Sequence, residues 1–289
     1  MSNKYQILND TDLSQYSWFG IGGKAKNFFI PSDSDNLSDY LIENNSKNYF
    51  VLGSGSNVLF RDTGYSNLII KLGKGFRNIE IKNNQLVVGA GVLKAQVSEF
   101  ALKNKIKNFE FLCCIPGMVG GGVFMNAGCF GSDFSKIVKE VRGIYSNGNK
   151  NYLDKNKIGF DYRKTNLPED FVITEVVFNI EDGNFDIINS MINEFKKIKS
   201  NSQPKNIKTG GSTFKNPQFS KKAWELIKES GCDKVKFGHA KFSSMHANFI
   251  DNSLKANSSD IEKLINYTIE QVNKKFNVIL ELEIKIIGD

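Results

Sequence analysis

Three glycine-rich stretches contain the backbone best suited to binding a phosphate. They are Gly20–Gly23, Gly53–Asn57 with the sequence Gly-Ser-Gly-Ser-Asn, and Pro116–Gly122, which continues to Asn126. Glycine has no Cβ, so the backbone can approach a ligand closely and direct successive N–H groups at it. Such arrangements bind phosphate oxygens. Any one stretch alone is better explained as a tight turn.

The spacing of these glycines does not match the common nucleotide-binding motifs. After Gly53 and Gly55, the third glycine of a dinucleotide fingerprint would fall at Val58. The chain also lacks the lysine pattern of a P-loop. A Rossmann fold is therefore disfavoured, whereas a phosphate-rich ligand remains attractive.

A polar loop at residues 210–217 and four arginines are further candidates for chemistry. The loop contains Ser212, Lys215 and Asn216, but on its own it is better explained as a polar turn. The arginines are Arg61, Arg77, Arg142 and Arg163. A guanidinium stays charged and presents a planar fork of donors that lysine cannot copy. In a chain that favours lysine, each arginine is a candidate for function or for an accidental surface position.

Strands and helices alternate around these motifs. Apolar runs predict strands at 49–52, 67–71, 78–81, 86–89, 137–145, 171–180 and 278–287. Asn83-Asn84 predicts a hairpin turn. Helical spacing predicts helices at 94–104, 185–200, 221–230 and 260–276, with Ser220 capping the third and Ser258 or Ser259 the fourth. In the last strand Glu281, Glu283 and Lys285 share one face, which alone predicts a solvated surface.

Composition excludes several classes of protein. The chain has 289 residues, 40% of them hydrophobic, as is ordinary for globular proteins. Its net charge of +7 comes from scattered lysines, so nucleic-acid binding is disfavoured. It shows neither a signal peptide nor a long apolar run, which predicts a cytoplasmic protein without membrane insertion. Four cysteines and two histidines lack metal-ligand spacing, so we expect no metal site.

The order and content of the motifs resemble one family. The matching segments are Gly20–Ala25, Leu52–Leu59, Ile115–Gly121 with Met125–Gly128, Tyr162–Arg163, Gly211–Pro217, His246–Ile250 and Glu283–Gly288. Together they resemble the UDP-N-acetylenolpyruvoylglucosamine reductase (MurB) family. They span nearly the whole chain, and seven matches in order are far more specific than any single glycine loop.

The resemblance implies an α+β fold in three parts. Two FAD-binding subdomains of the vanillyl-alcohol-oxidase (PCMH) type, at residues 1–71 and 72–200, would hold the cofactor between them. A C-terminal α+β substrate-binding domain would occupy residues 201–289. The short connection at 168–171 is similar to the compact branch of the family, which lacks an extra tyrosine-bearing loop.

The resemblance also implies a reaction. NADPH would reduce tightly but non-covalently bound FAD, which would reduce UDP-N-acetylglucosamine enolpyruvate to UDP-N-acetylmuramate for peptidoglycan synthesis. The implied partners are NADPH and the enolpyruvyl nucleotide sugar, without nucleic acid or a partner protein, and we expect a monomer.

Individual residues acquire roles from the same resemblance. Ser212 matches the proton donor, Arg163 the arginine near the enolpyruvyl carboxylate, and Glu283 the catalytic glutamate. Glu281 lies on the same face, so the match could be shifted by two residues. Lys215 and Asn216 match positions near the substrate. The expected FAD-binding residues are Gly53, Ser54, Gly55, Ser56, Asn57, Pro116, Gly117, Gly120, Gly121, Gly122 and Asn126.

The chain departs from the family pattern at its cysteines. Cys113-Cys114 stands where the family usually has a small residue and glycine, so a positive φ at Cys114 would be strained. Cys129 lies beside a flavin loop, but a covalent bond to FAD is disfavoured. Two alternatives remain open: another flavin oxidase of the same fold type, acting on a sugar or alcohol, and a nucleotide- or RNA-binding protein.

Overall fold

Strands and helices alternate along the chain in a computed structural model, which describes residues 4–45 and 48–289. The strands are β1 (Ile7–Asp12), β2 (Lys24–Phe29), β3 (Tyr49–Val51), β4 (Val58–Phe60), β5 (Tyr65–Ile70), β6 (Ile79–Lys82), β7 (Gln85–Gly89), β8 (Gly128–Cys129), β9 (Ser132–Asp133), β10 (Val138–Tyr145), β11 (Lys150–Asp154), β12 (Phe171–Asn179), β13 (Lys236–Phe237), β14 (Ala240–Phe242), β15 (Ile250–Asp251) and β16 (Lys285–Ile287). The helices are α1 (Ser34–Asn44), α2 (Lys94–Lys103), α3 (Val119–Phe124), α4 (Phe134–Ile137), α5 (Lys155–Ile158), α6 (Phe185–Ser202), α7 (Ala223–Glu229) and α8 (Ser258–Phe276).

The chain forms two compact units, each built from separate segments. Unit 1 contains the segment ending at Leu8, Phe28–Gly53 and Asn67–Lys199, and unit 2 contains Asn9–Asn27, Ser54–Ser66 and Ser200–Asp289. The division into parts at 1–71, 72–200 and 201–289 stays a prediction.

Unit 1 is organised around an antiparallel sheet in the order β11-β10-β12-β7-β6. The predicted hairpin is confirmed, because β6 and β7 pair with Lys82 opposite Gln85. Asn83 and Asn84 both have positive φ, which suits the right-handed twist of a two-residue hairpin. β12 is the central strand, and buried residues such as Val176 and Phe178 place it in the unit's hydrophobic core.

Two helices of unit 1 carry or adjoin candidate site residues. α2 buries Val97 and Ala101 in the same core as the sheet. α3 is a short helix of six residues that contains the last glycines of the Pro116–Gly122 stretch and buries Val119 and Val123. The bounds predicted for α2 are confirmed to within one residue.

In unit 2, two strands that are far apart in the sequence pair in parallel. β16 pairs with β4, placing Lys285 opposite Val58 and Ile287 opposite Phe60. α8 covers the core of this unit with Ile261, Leu264 and other buried side chains at helical spacing. The ladder therefore brings the C-terminal segment to the end of the Gly53–Asn57 stretch.

Three sequence predictions in unit 2 are wrong in detail. α7 begins at Ala223 rather than 221, and its N-cap residue is Lys222, not Ser220, because the Glu225 carboxylate accepts the Lys222 N–H. α8 is capped by Asn257, whose Oδ1 accepts the Asp260 N–H, instead of Ser258 or Ser259. The strand predicted at 278–287 is regular only over β16, since before it Leu282 makes an isolated bridge to Phe214.

Within residues 4–45 and 48–289, no helix combines the length and apolar character needed to span a membrane.

Candidate active site

The segment that carries Ser212 lies between two other segments of unit 2. Ser212 forms an antiparallel bridge with Phe249. The next residue, Thr213, donates its N–H to the Asn248 carbonyl at 2.8 Å, and its own carbonyl accepts the Glu283 N–H at 2.8 Å. Backbone hydrogen bonds therefore hold Ser212 and Glu283 on neighbouring segments of one unit.

The Asn248 side chain also holds the segment that carries Ser212. Its Oδ1 accepts the Phe214 N–H at 2.9 Å, and its Nδ2 donates to the Phe214 carbonyl at 2.8 Å. Asn248 is buried, so these two bonds are shielded from competing water. Asn248 therefore holds the backbone next to Ser212 rigidly.

The Gly53–Asn57 stretch reaches the Glu283 segment through its last residue. Asn57 donates its Nδ2 to the Glu283 carbonyl at 2.9 Å, and its own carbonyl accepts the Lys285 N–H at 2.9 Å. The structure thus brings together Asn57, Glu283 and the segment of Ser212, all of which sequence analysis predicted as site residues.

The two glutamates of the last segment have different surroundings. The Glu281 side chain is 73% exposed, and its carboxylate lies 3.1 Å from the Lys215 ammonium. Glu283 is half-buried. The backbone register supports Glu283 as the glutamate closer to Ser212, because its N–H bonds the residue that follows Ser212.

The two predicted substrate-binding residues already have partners within unit 2. Lys215 pairs with Glu281, and the Asn216 Oδ1 accepts the Ala223 N–H at 3.0 Å at the start of α7. An exposed ion pair contributes little stability and exchanges easily. Lys215 can therefore exchange Glu281 for an anionic ligand. Asn216, in contrast, also holds the start of α7 through Ala223.

Gly55 is required by close packing as well as by backbone geometry. Its φ is +69°, and a Cβ there would lie 1.8 Å from the Tyr16 carbonyl oxygen. Its own carbonyl accepts the Trp18 N–H at 3.0 Å. On this geometry the glycine is needed to fold the loop, whatever ligand the loop binds.

The glycines before and within α3 differ in what surrounds them. Gly117 has a φ of +100°, and its carbonyl accepts the Lys94 N–H. A Cβ on Gly122 would meet the Phe134 ring at 2.6 Å and the Lys94 side chain at 3.0 Å. No atom lies within 4 Å of a Cβ on Gly121, so the open space at this turn lies beside Gly121.

Arg163 occupies a backbone conformation that is rare for its residue type. Its φ is +54°. Its Nη2 donates to the Gly128 carbonyl at 2.7 Å, and its guanidinium lies over the Tyr162 ring, 5.1 Å from the centroid. Non-glycine residues in the left-handed region cluster at functional sites, where the surrounding structure holds them. This conformation is an independent reason to regard Arg163 as functional.

Asn126 supports the turn that carries Arg163. Its buried side chain donates to the Asp161 carbonyl at 2.9 Å and accepts the Ser135 N–H at 3.0 Å. Both bonds are internal, so the structure gives Asn126 a positioning task in addition to the predicted role at FAD.

Two other arginines have structural partners. Arg61 binds Glu262 through two parallel hydrogen bonds of 2.9 and 3.0 Å. Arg142 pairs with Glu140 and Glu175 on the sheet of unit 1. These pairs account for Arg61 and Arg142 without a ligand.

Sequence analysis missed two lysines beside the glycine loops of unit 1. Lys71 donates to the Gly53 carbonyl, and burial lowers its pKa to about 8. Lys94 is 5% exposed, and burial lowers its pKa to about 7. Neither residue lies in a recognisable motif, because a lysine at the end of a strand or the start of a helix normally faces solvent.

All four cysteines are free thiols: Cys114 and Cys232 are buried, and Cys113 and Cys129 are half-buried. The Sγ atoms of Cys113 and Cys114 lie 3.3 Å apart, and burial raises the pKa of Cys113 and Cys129 to about 12. Cys114 is not among the described residues with positive φ, so the strain considered from the sequence does not arise. Over residues 4–45 and 48–289, no three Cys, His, Asp or Glu side chains are grouped to hold a metal ion.

The residues of unit 1 fit a bound flavin dinucleotide. Space is open at Gly121, where a ligand can approach the backbone. The Lys94 side chain, which is 5% exposed, runs past the same turn beside Gly122, where its ammonium can meet an anionic group. Lys71 orients the Gly53 carbonyl at the start of the other loop.

Comparisons with known proteins cover the whole chain. Residues 25–150 match the family described as FAD binding domain, and residues 203–287 match the family described as UDP-N-acetylenolpyruvoylglucosamine reductase, C-terminal domain. The UDP-N-acetylenolpyruvoylglucosamine reductases of Rickettsia rickettsii (strain Sheila Smith) and Rickettsia prowazekii (strain Madrid E) are 41% and 40% identical. Both alignments cover 99% of this chain and 97% of the relative.

A solved structure has the same fold over the same extent. The crystal structure of UDP-N-acetylenolpyruvylglucosamine reductase (MurB) from Thermus caldophilus superposes with a TM-score of 0.85 at 29% identity. The match covers 98% of this chain and 99% of that one, which confirms the predicted α+β fold with an FAD-binding region and a separate C-terminal domain.

Proposed function

Because the chain belongs to the UDP-N-acetylenolpyruvoylglucosamine reductase family, we propose that Arg163, Ser212 and Glu283 perform its chemistry. The chain is an FAD-dependent oxidoreductase that uses NADPH to reduce UDP-N-acetylglucosamine enolpyruvate to UDP-N-acetylmuramate, a step in peptidoglycan precursor synthesis. When bound, FAD would supply the hydride chemistry between NADPH and C3 of the enolpyruvyl group. The protein must supply position, charge and a proton.

The residues proposed to hold FAD are those of the two glycine-rich stretches, Gly53, Ser54, Gly55, Ser56, Asn57, Pro116, Gly117, Gly120, Gly121 and Gly122, together with Asn126. The open space at Gly121 supports this role most directly. Gly55 and Gly122 act by leaving room for the Tyr16 carbonyl and for the Phe134 ring.

Ser212 is proposed to give a proton to C2 of the substrate. A serine hydroxyl is a weak acid, so it must be held in line with C2 and the alkoxide must be stabilised as it forms. The bonds from Asn248 and Glu283 to Thr213 and Phe214 provide the first requirement by fixing the backbone next to Ser212. This anchoring is the observation that carries the proposal.

Arg163 and Glu283 are proposed to act on the substrate carboxylate. Negative charge builds at C2 and the carboxylate as hydride arrives at C3, and a fixed guanidinium stabilises such charge without reorganisation. Glu283 would share a proton with the carboxylate, which withdraws further charge. The constrained backbone of Arg163 supports this role, because a pre-positioned cation is worth more than a mobile one.

Substrate recognition and location are proposed on the same basis. Lys215 and Asn216 would bind polar groups of the nucleotide sugar, with Lys215 exchanging its exposed partner Glu281 for phosphate. The protein is proposed to act in the cytoplasm, where NADPH and nucleotide sugars are found, without nucleic acid or a partner protein.

The product identifies the reaction. Purified protein, FAD, NADPH and the enolpyruvyl sugar would be incubated, and the sugar followed by mass spectrometry while NADPH is followed by absorbance. We expect the sugar to gain two hydrogen atoms for each NADPH consumed. NADPH consumption with hydrogen peroxide formation and an unchanged sugar would instead favour an oxidase of the same fold type. A protein that neither binds FAD nor consumes NADPH would favour the nucleotide-binding alternative.

A further inference from the structure

Lys94 is buried at the turn that joins β7 to α2. It is the first residue of α2, its N–H donates to the Gly117 carbonyl at 3.0 Å, and its side chain is 5% exposed. The side chain runs beside Gly122, where a Cβ would lie 3.0 Å from its Cδ. Gly122 therefore leaves the space through which the Lys94 side chain passes.

The Lys94 ammonium has no hydrogen-bond or ion-pair partner among residues 4–45 and 48–289. A buried charge without a partner costs free energy that folding must offset. Most buried lysines are paired. An unpaired one beside open space indicates that its partner is a ligand.

Three groups from other elements face Lys94, and two of them are cations. They are Lys199 from α6, Arg163 from the 161–164 turn, and the thiol of Cys129 from β8. Lys199 donates to the Cys114 carbonyl and Arg163 to the Gly128 carbonyl. These bonds hold the two cations in position.

The protonation of Lys94 responds to these surroundings. Burial, then Lys199 and Arg163, lower its pKa to about 7. Near neutral pH it can therefore take up a proton when an anion arrives, since a nearby negative charge favours the protonated form.

We infer that Lys94, with Lys199 and Arg163, forms a cationic pocket for the negative charge that the isoalloxazine of FAD acquires on reduction. The inference rests on the proposed function, which places Arg163 near the enolpyruvyl group. Hydride must pass from the isoalloxazine to that group. A negative charge beside Arg163 and Lys94 therefore belongs to the ring system rather than to the pyrophosphate. Positive charge near the ring is a recognised means of tuning a flavin.

Lys94→Met in the FAD-bound protein tests the inference, because methionine keeps much of the length and removes the charge. We expect the equilibrium between reduced and oxidised FAD to shift at least tenfold towards the oxidised form, which lowers the midpoint potential by about 30 mV or more for a two-electron couple. The dissociation constant of oxidised FAD should stay within about threefold of wild type, since the pocket acts on the reduced ring. Lys103→Met is the matched control: Lys103 ends the same helix, is exposed and pairs with Glu99. Its variant should behave as wild type.

A stability measurement keeps the test decisive if Lys94→Met folds poorly. The melting temperature of the variant without FAD should equal or exceed that of wild type, because a buried charge without a protein partner has been removed. A large decrease would contradict the inference.

The remaining outcomes separate this inference from the proposed function. An unchanged midpoint potential in Lys94→Met would overturn the inference while leaving the reductase activity established. Equal weakening of oxidised and reduced FAD would also overturn it and assign Lys94 to the pyrophosphate. Failure of the wild-type protein to bind FAD would refute the proposed function, and the inference with it.

Discussion

The charged candidate residues have different surroundings in the two units. In unit 2 Lys215 pairs with Glu281, and backbone hydrogen bonds fix the segments of Ser212 and Glu283. In unit 1 Arg163 sits in a left-handed conformation, and Lys94 is buried without a partner.

The difference indicates what each group of residues is built to do. Ser212 is held in place before any ligand binds, as a proton donor that must be aligned requires. In unit 1, burial of the Lys94 side chain has a free-energy cost in the protein alone, and an anionic ligand offsets that cost. Substitutions in unit 2 should therefore lower rates, whereas substitutions in unit 1 should change cofactor affinity, redox potential or stability as well.

The largest expected effect is that of Ser212→Ala. Loss of a positioned acid should slow oxidation of the reduced enzyme by the enolpyruvyl sugar about a hundred- to ten-thousandfold. Reduction by NADPH should stay near wild type, because that step needs no proton from Ser212. Anaerobic stopped-flow absorbance measures the two steps separately. Equal loss in both would remove Ser212 as proton donor.

Glu283→Gln and Glu281→Gln form a matched pair two residues apart. We expect Glu283→Gln to reduce turnover by about a hundredfold, comparable to losing one general acid or base. Glu281→Gln should change turnover by no more than about threefold, since its exposed pair with Lys215 contributes little. Steady-state turnover rates with saturating NADPH compare the two variants. A larger loss in Glu281→Gln than in Glu283→Gln would move the assignment to Glu281.

Gly55→Ala tests the packing that folds the Gly53–Asn57 stretch. The added Cβ would lie 1.8 Å from the Tyr16 carbonyl, so we expect a loss of about 3 kcal/mol or more in the free energy of unfolding. Gly131→Ala is its control, because Gly131 has a similar φ of +74° but no atom within 4 Å of its Cβ position. That variant should lose only about 1 kcal/mol from backbone strain. Denaturant unfolding gives both values, and similar losses would rule out the packing explanation.

Arg163→Lys tests whether the fork of the guanidinium matters beyond its charge. Lysine cannot bind the Gly128 carbonyl and the substrate carboxylate in the same geometry, so we expect about a tenfold slower reaction with the enolpyruvyl sugar. Single-turnover reoxidation of the reduced enzyme measures this rate. Wild-type kinetics would place Arg163 outside the site.

Lys94→Met without FAD should also change how the stability of the protein depends on pH. The pKa of Lys94 in the folded protein, about 7, lies below its ordinary value of 10.5, so the unfolded chain binds more protons between these values. Wild-type stability should therefore rise with pH across this window relative to the variant. We expect Lys94→Met to be more stable than wild type below pH 7, with the advantage gone above pH 10.5. Denaturant midpoints at several pH values test this, and a constant difference would contradict it.

The sequence predicted those parts of the molecule that depend on local pattern. The hairpin at Asn83-Asn84 and the bounds of α2 follow from turn chemistry and helical spacing, and both are confirmed. The cap of α8 was misplaced by one or two residues, because Ser258, Ser259 and Asn257 can all cap a helix. The strand predicted at 278–287 was too long, because its regular pairing depends on β4, which is more than two hundred residues away.

The candidate site was predicted through whole motifs rather than through individual residues. Ser212, Arg163 and Glu283 had weak signals by themselves and became candidates only as members of an ordered series. Lys94 was missed because burial of a lysine is a tertiary property: nothing in the sequence around Leu93 and Ala95 distinguishes it from a solvated residue. The left-handed backbone of Arg163 likewise depends on the turn that Asn126 supports.

An anaerobic absorbance titration of the purified wild-type protein tests the central claim most directly. NADPH would be added to the FAD-bound protein, and the enolpyruvyl nucleotide sugar would follow. We expect an oxidised-flavin spectrum that bleaches with NADPH and returns on adding the sugar, with no oxygen present. A spectrum that bleaches but does not return, or a protein that cannot be loaded with FAD, would contradict it.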